Sequence, residues 1–173
     1  MDGSSPTPQP DVFSLAVGYV IDRLEGGGTI EHDAGGWTRW GIAERYHPGI
    51  DVRSLSRNGA EAIYRAEYWT PLRCGDMPPS VGFLAFDCAV NPGTGAAVLF
   101  LQSELGVERD GVVGPDTLDA ARSAARKELL IGLTARRLDY YRQDVLRHPP
   151  QVVNLDGWTR RSLRSLLFAQ GLL

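Results

Sequence analysis

The chain is short of cysteine and histidine and has no long apolar run, and each shortage removes a class of function. Its two cysteines, Cys74 and Cys88, stand apart with no CxxC pair and no histidine pair nearby. That excludes the usual zinc spacings and leaves a buried free thiol as the expectation for Cys88. His32, His47 and His148 are scattered singly, so no metal site is expected, and no cofactor either. No apolar stretch approaches the length of a membrane-spanning helix. The phosphate-binding glycine loop, the dinucleotide fingerprint and the nucleophile elbow are all missing, which sets aside nucleotide-dependent and serine-hydrolase chemistry. No nucleic-acid-binding motif occurs. Residues 1–10, with Ser4, Ser5, Pro6, Pro8 and Pro10, lack the basic start and apolar core of a secretory signal. They read as a flexible leader, and synthesis in the cytoplasm is the expectation.

What remains is an ordinary globular composition: 173 residues, 43% hydrophobic and 23% charged, with a net charge of -3. That length buries a sizeable core. Val12, Leu15, Ala16, Tyr19, Val20, Arg23 and Leu24 recur at helical spacing after Pro10 and a capping Asp11, and Gly26 and Gly27 stop the helix. Glu25 is therefore expected in the last helical turn, facing unpaired carbonyls that disfavour a negative charge there. A carboxylic acid held protonated can donate to a leaving-group oxygen, as glycoside hydrolysis requires. The bland alternative is a solvent-facing glutamate at a helix end.

The stretch from Glu31 to Ile42 reads as a short hairpin turning at Gly35 and Gly36. Folded over the helix end, it brings Asp33 and Thr38 towards Glu25, with Thr38 to hold a water and Asp33 to polarise it or to stabilise positive charge in the transition state. Otherwise Asp33 caps the turn and Thr38 is a strand residue. Of Trp37, Trp40, Tyr46 and Trp69, one or two are expected to line a sugar groove and the rest to be core.

Helices follow from about Ser56 to Trp69, then from Val81 to Val90, nearly all apolar around Asp87. Asp87 needs a partner, either an arginine or the backbone of the next helix, and a structural role is favoured. Asn91 either binds a sugar acetamido group or caps the helix Ala96 to Leu105. Asp110 and Gly111 form a turn, and Pro115 opens a helix at its favoured first position. A long helix begins near Lys127 and another runs from about Thr159 to Gln170. This end is basic, with Arg136, Arg137, Arg142, Arg147, Arg160, Arg161 and Arg164, and either meets an anionic wall or lipid surface or is a solvated helix face.

Glu25, Gly26, Gly27, Asp33, Gly35, Gly36, Thr38, Gly41 and Ile42 together resemble the signature of glycoside hydrolase family 108. The resemblance continues through Tyr68, Trp69, Pro71 and Leu72, then Phe86, Asp87, Ala89, Val90, Asn91 and Gly93, then Leu101, Gln102, Leu105 and Gly106. Leu24 stands where the family often has histidine, and the stretch from Glu25 to Asp33 is slightly shorter than usual. The order of Glu, Asp and Thr is also similar to the wider phage-type lysozymes. The resemblance implies a mainly α, α+β lysozyme-like fold, a helical bundle with one small hairpin beside the catalytic glutamate. It implies an N-acetylmuramidase of the endolysin type acting on peptidoglycan glycan strands, with Glu25, Asp33 and Thr38 catalytic and Asn91 beside the cleft, where the flat rings of Trp37, Tyr46 and Trp69 are the candidates for binding substrate. An endolysin reaches the periplasmic wall after a holin opens the membrane. The segment from Leu101 to Thr117 resembles peptidoglycan-binding regions, although its turn residues serve equally as a folding device. The expected organisation is a leader over 1–10, a catalytic lobe over 11–92 and a helical lobe over 93–173, integrated in one compact monomeric domain. A lytic transglycosylase and a non-catalytic wall-binding protein are the alternatives.

Overall fold

The structure, a computed structural model, describes residues 11–33 and 36–172. The leader and the Gly35 turn position lie outside the described residues, as does the side chain of Asp33. Asp11 caps the first helix, α1 (Val12–Tyr19), its carboxylate accepting the Ser14 amide at 2.8 Å. The helix loosens into a π turn over Val20–Leu24, a feature frequent at functional sites. The buried stripe is Phe13, Ala16, Val17, Val20 and Ile21. It is rotated from the expected one, because Leu15 faces solvent at 40% exposure and the bulkier Phe13 turns inwards.

A three-stranded antiparallel sheet follows: β1 (Ile30–Asp33), β2 (Gly36–Arg39) and β3 (Ile42–Ala43), in that spatial order. Glu31 pairs with Thr38 and Asp33 with Gly36, while Arg39 pairs with Ile42 across a two-residue turn. Trp40 and Gly41 form that turn with φ of 56° and 77°, the paired positive angles of a tight hairpin turn that matches strand twist.

Ser56 caps α2 (Arg57–Tyr64), which also ends in a π turn, over Arg65–Trp69. The next helix, α3 (Pro79–Val90), starts on a proline at its favoured position, and every residue from Ser80 to Ala89 is buried. It packs against α1 and against three later helices, α4 (Thr94–Leu105), α6 (Arg126–Arg147) and α7 (Leu155–Gln170). One hydrophobic core runs from Phe13 to Ala169, so the two halves of the chain share it. Each large apolar side chain fully buried there contributes about 1.5–3 kcal/mol. The fold is mainly α with a small sheet, as the sequence led us to expect.

Gly114 precedes α5 (Pro115–Ser123), and buried Gln102 organises the turn before it. Its amide nitrogen donates to Asp110 at 2.6 Å and to the Val112 carbonyl at 3.0 Å, and its oxygen accepts the Gly111 amide at 3.0 Å. The turn motif thus acts as a folding device here. Cys74 and Cys88 are buried free thiols, and burial pushes the Cys88 thiol up to about 11.

Candidate active site

Glu25 closes the first helical segment, its amide donating to the Val20 carbonyl at 2.9 Å. Gly26 and Gly27 follow with φ of 70° and 69°, left-handed angles that turn the chain towards the sheet. The Trp40–Gly41 turn comes back over this end. A side chain built at Gly41 would fall 2.6 Å from Glu25 Cγ and overlap the Tyr64 hydroxyl, so only glycine lets the turn approach the acid so closely. Tyr64 fixes the turn by donating to the Trp40 carbonyl at 3.0 Å, and the Trp40 indole N–H donates to the Leu55 carbonyl at 2.9 Å. Burial, with the Glu25 charge nearby, holds the Tyr64 hydroxyl well above its ordinary pKa.

From the other side α7 brings Arg161, whose Nη1 donates to Glu25 Oε1. Among the described residues no donor reaches Glu25 Oε2. The same guanidinium grips Asp87 Oδ1 through Nη2 at 2.7 Å and Nε at 3.0 Å. Asp87 Oδ2 accepts from Arg137 at 2.5 Å and from Ser165 at 2.6 Å. Arg137 Nε donates to Tyr141 at 2.8 Å, and Tyr141 in turn donates to Asn91 Oδ1. A continuous hydrogen-bonded chain thus leads from Asn91 to Glu25. Glu25 keeps 19% of its side-chain surface in contact with solvent, whereas Asp87 has none.

Burial opposes ionisation of Asp87, yet the Arg137 and Arg161 guanidiniums outweigh it and hold the carboxyl well below its ordinary value. Burial likewise opposes the charge on Arg161, and the carboxylates of Asp87 and Glu25 outweigh it and hold that charge firmly. Glu25 thus faces the Arg161 guanidinium as well as the carbonyls of its own helix end. Among the described residues no group of three or more His, Cys, Asp or Glu side chains is arranged to hold a metal.

The structure of Brucella abortus SagA is similar to this one with a TM-score of 0.78 and 30% sequence identity, covering 92% of this chain and 94% of that chain. The Glycosyl hydrolase 108 family model matches residues 19–93, the span holding Glu25, Asp87 and Asn91. The chain belongs to glycosyl hydrolase family 108. A second model, described as a predicted peptidoglycan domain, matches residues 96–163, and this family 108 chain is a glycoside hydrolase acting on peptidoglycan. No curated protein matches the chain. Arg161, Arg137 and Tyr141 lie inside the second matched span, so a region matched as a peptidoglycan domain supplies the guanidinium that holds Glu25.

The other residues expected at the site divide. Thr38 is half-buried in β2, opposite Glu31 and Ala43. Asp33 lies in β1 opposite Gly36, and its side chain is outside the described residues. Trp37 is half-buried with its ring 4.5 Å from the His32 ring and the Arg53 guanidinium 5.7 Å over it. Tyr46 is 70% exposed beneath Arg45. Trp69 is corrected: it is a core residue at 6% exposure, edge-on to Phe13 and Phe86 at 5.4 and 5.5 Å, and it has no free face for a sugar. Asn91 does not cap α4, whose first turn follows Gly93; its side-chain oxygen is taken by Tyr141. Of the two partners considered for Asp87 the structure selects arginine, twice over. Sequence reasoning missed the roles of Arg161, Tyr64 and Ser165, because nothing in a run of arginines marks which one faces inwards.

Proposed function

We propose that this hydrolase is an N-acetylmuramidase that cleaves the β-1,4 bond between N-acetylmuramic acid and N-acetylglucosamine, with Glu25 as general acid. The observation that carries the reading is the clamp on Glu25. Arg161 fixes Oε1 from α7 and Gly41 packs on the methylene, so Oε2, which no described donor engages, is the oxygen left to carry a proton to the glycosidic oxygen. As the bond breaks, positive charge develops on the sugar ring, and water completes the hydrolysis. Thr38 and Asp33, in adjacent paired strands, are the residues we assign to the water and to that charge. Solvent-facing Tyr46 and the half-buried ring of Trp37 are the candidates for stacking on pyranose faces.

An endolysin role belongs to the same reading, with a membrane-opening partner such as a holin giving access to the wall. It is supported by the similarity of the Glu, Asp and Thr order to phage lysozymes. Among the described residues no helix is long and apolar enough to cross a membrane.

The test is clearing of outer-membrane-permeabilised Gram-negative cells by the wild type and by Glu25→Gln, with mass spectrometry of the released fragments. Removing a general acid costs about 10²–10⁴-fold in rate, and the wild-type products should carry hydrated reducing muramic ends. Full-rate clearing by Glu25→Gln would sink the assignment. Anhydro ends would move the chain to the transglycosylases.

A further inference from the structure

A cavity of about 540 Å³ opens between α4 and α6, within the size range of small-molecule sites. Its lining shares no residue with the Glu25 cluster, and every lining residue falls within the span matched as a peptidoglycan domain. The cavity lies on a different face of α6 from Arg137 and Tyr141, which turn into the core. Phe100 and Tyr140 meet edge-to-face at 5.6 Å in its lining and supply an apolar surface. Glu104 pairs with Arg136 along one wall, and a side chain at Gly132 would fall 2.6 Å from Glu104 Cδ, so glycine there is what lets the carboxylate lie across α6. Arg109 and Arg147 also line the cavity, and among the described residues neither has a carboxylate partner within 4 Å. Asp139 is tied only to Arg142 in an exposed pair, which an incoming cation exchanges at little cost.

We propose that this cavity is a second peptidoglycan site and that it takes the stem peptide, not the glycan. A neutral sugar chain calls for aromatic faces and uncharged hydrogen-bonding groups. This lining offers guanidiniums without partners, two acids and a short apolar patch. A stem peptide presents the complement: carboxylates for Arg109 and Arg147, an amine at its diamino residue for Asp139 and Glu104, and alanine methyls for Phe100 and Tyr140. The site anchors the cross-linking arm. The proposal rests on peptidoglycan being the partner and is independent of the role of Glu25.

The wild-type chain is titrated by calorimetry with a sugar-free tetrapeptide, L-Ala-γ-D-Glu-meso-diaminopimelate-D-Ala, which has no glycosidic bond to cut. Saturable binding is expected, weakened by about tenfold or more in the double variant Arg109→Glu, Arg147→Glu. The same loss is expected in Ala135→Trp, which fills the cavity from an exposed position on α6. Thermal melts establish that both variants fold, and the charge variant alone suffices if the tryptophan disturbs α6. No binding by the wild type, or equal binding by a folded variant, overturns the site whatever the outcome at Glu25.

Discussion

Helices α6 and α7 each carry two successive arginines, and the members of each pair live in different worlds. Arg136 and Arg160 lie on the outer faces, paired with Glu104 and Asp156 at the solvent boundary. Arg137 and Arg161, one position along and so about 100° around the helix, turn inwards onto Asp87. The outer pairs are screened by solvent and add little to stability. The inner pairs sit where breaking one partner strands a buried charge. Of the basic residues at this end, the inner two are committed to the interior and are withdrawn from any contact with an anionic surface. What separates decoration from architecture here is burial, with residue type held constant.

The comparison breaks most visibly at Asp87. Replacing it with asparagine leaves Arg137 buried without a counter-charge and Arg161 with Glu25 alone, and the expected loss is about 3–5 kcal/mol of unfolding free energy in denaturant titration. The wild-type carboxyl titrates below its ordinary value of 3.8, so its stabilisation is complete above that pH and is lost as the pH falls further. Asp87→Asn should therefore also flatten the acid limb of the stability profile. Arg161→Met ranks next. Asp87 keeps Arg137 and Ser165, so about 1–3 kcal/mol of stability goes, but wall clearing should fall far more than stability, because Glu25 loses its clamp. Equal losses in both would reduce Arg161 to an architectural role.

Gly41→Ala tests the clamp from the hairpin side. The residue would be forced into a left-handed angle and against Glu25, at a cost of about 1–3 kcal/mol. Its clearing rate should drop while helical circular dichroism stays unchanged. The smallest effect belongs to Arg160→Ala, on the exposed side of the comparison: neither the unfolding midpoint nor the clearing rate should move measurably. A shift there comparable to that of Arg161→Met would dissolve the distinction between the two faces.

Helix placement was legible wherever local chemistry marks an end. Asp11 and Ser56 cap, Pro115 opens α5, and Gly26 and Gly27 end the π turn that continues α1, each through a backbone rule that acts within a few residues. What the sequence hid was the identity of partners far along the chain. Glu25 and Arg161 are 136 residues apart, and no periodicity ties them. Trp69 misled because an aromatic at helical spacing suits a core and a groove equally, and only the presence of Phe13 and Phe86 decides. Strand β3 is two residues long, below what alternation reveals.

The separation between Glu25 and Arg161 has a consequence for how the protein comes into being. A ribosome releases Glu25 136 residues before Arg161, and the two meet only once α7 has followed it out. Nascent chains and fragments cut before Leu155 carry the acid without its guanidinium. Until Arg161 has emerged, the ion pair that joins the two matched spans does not exist.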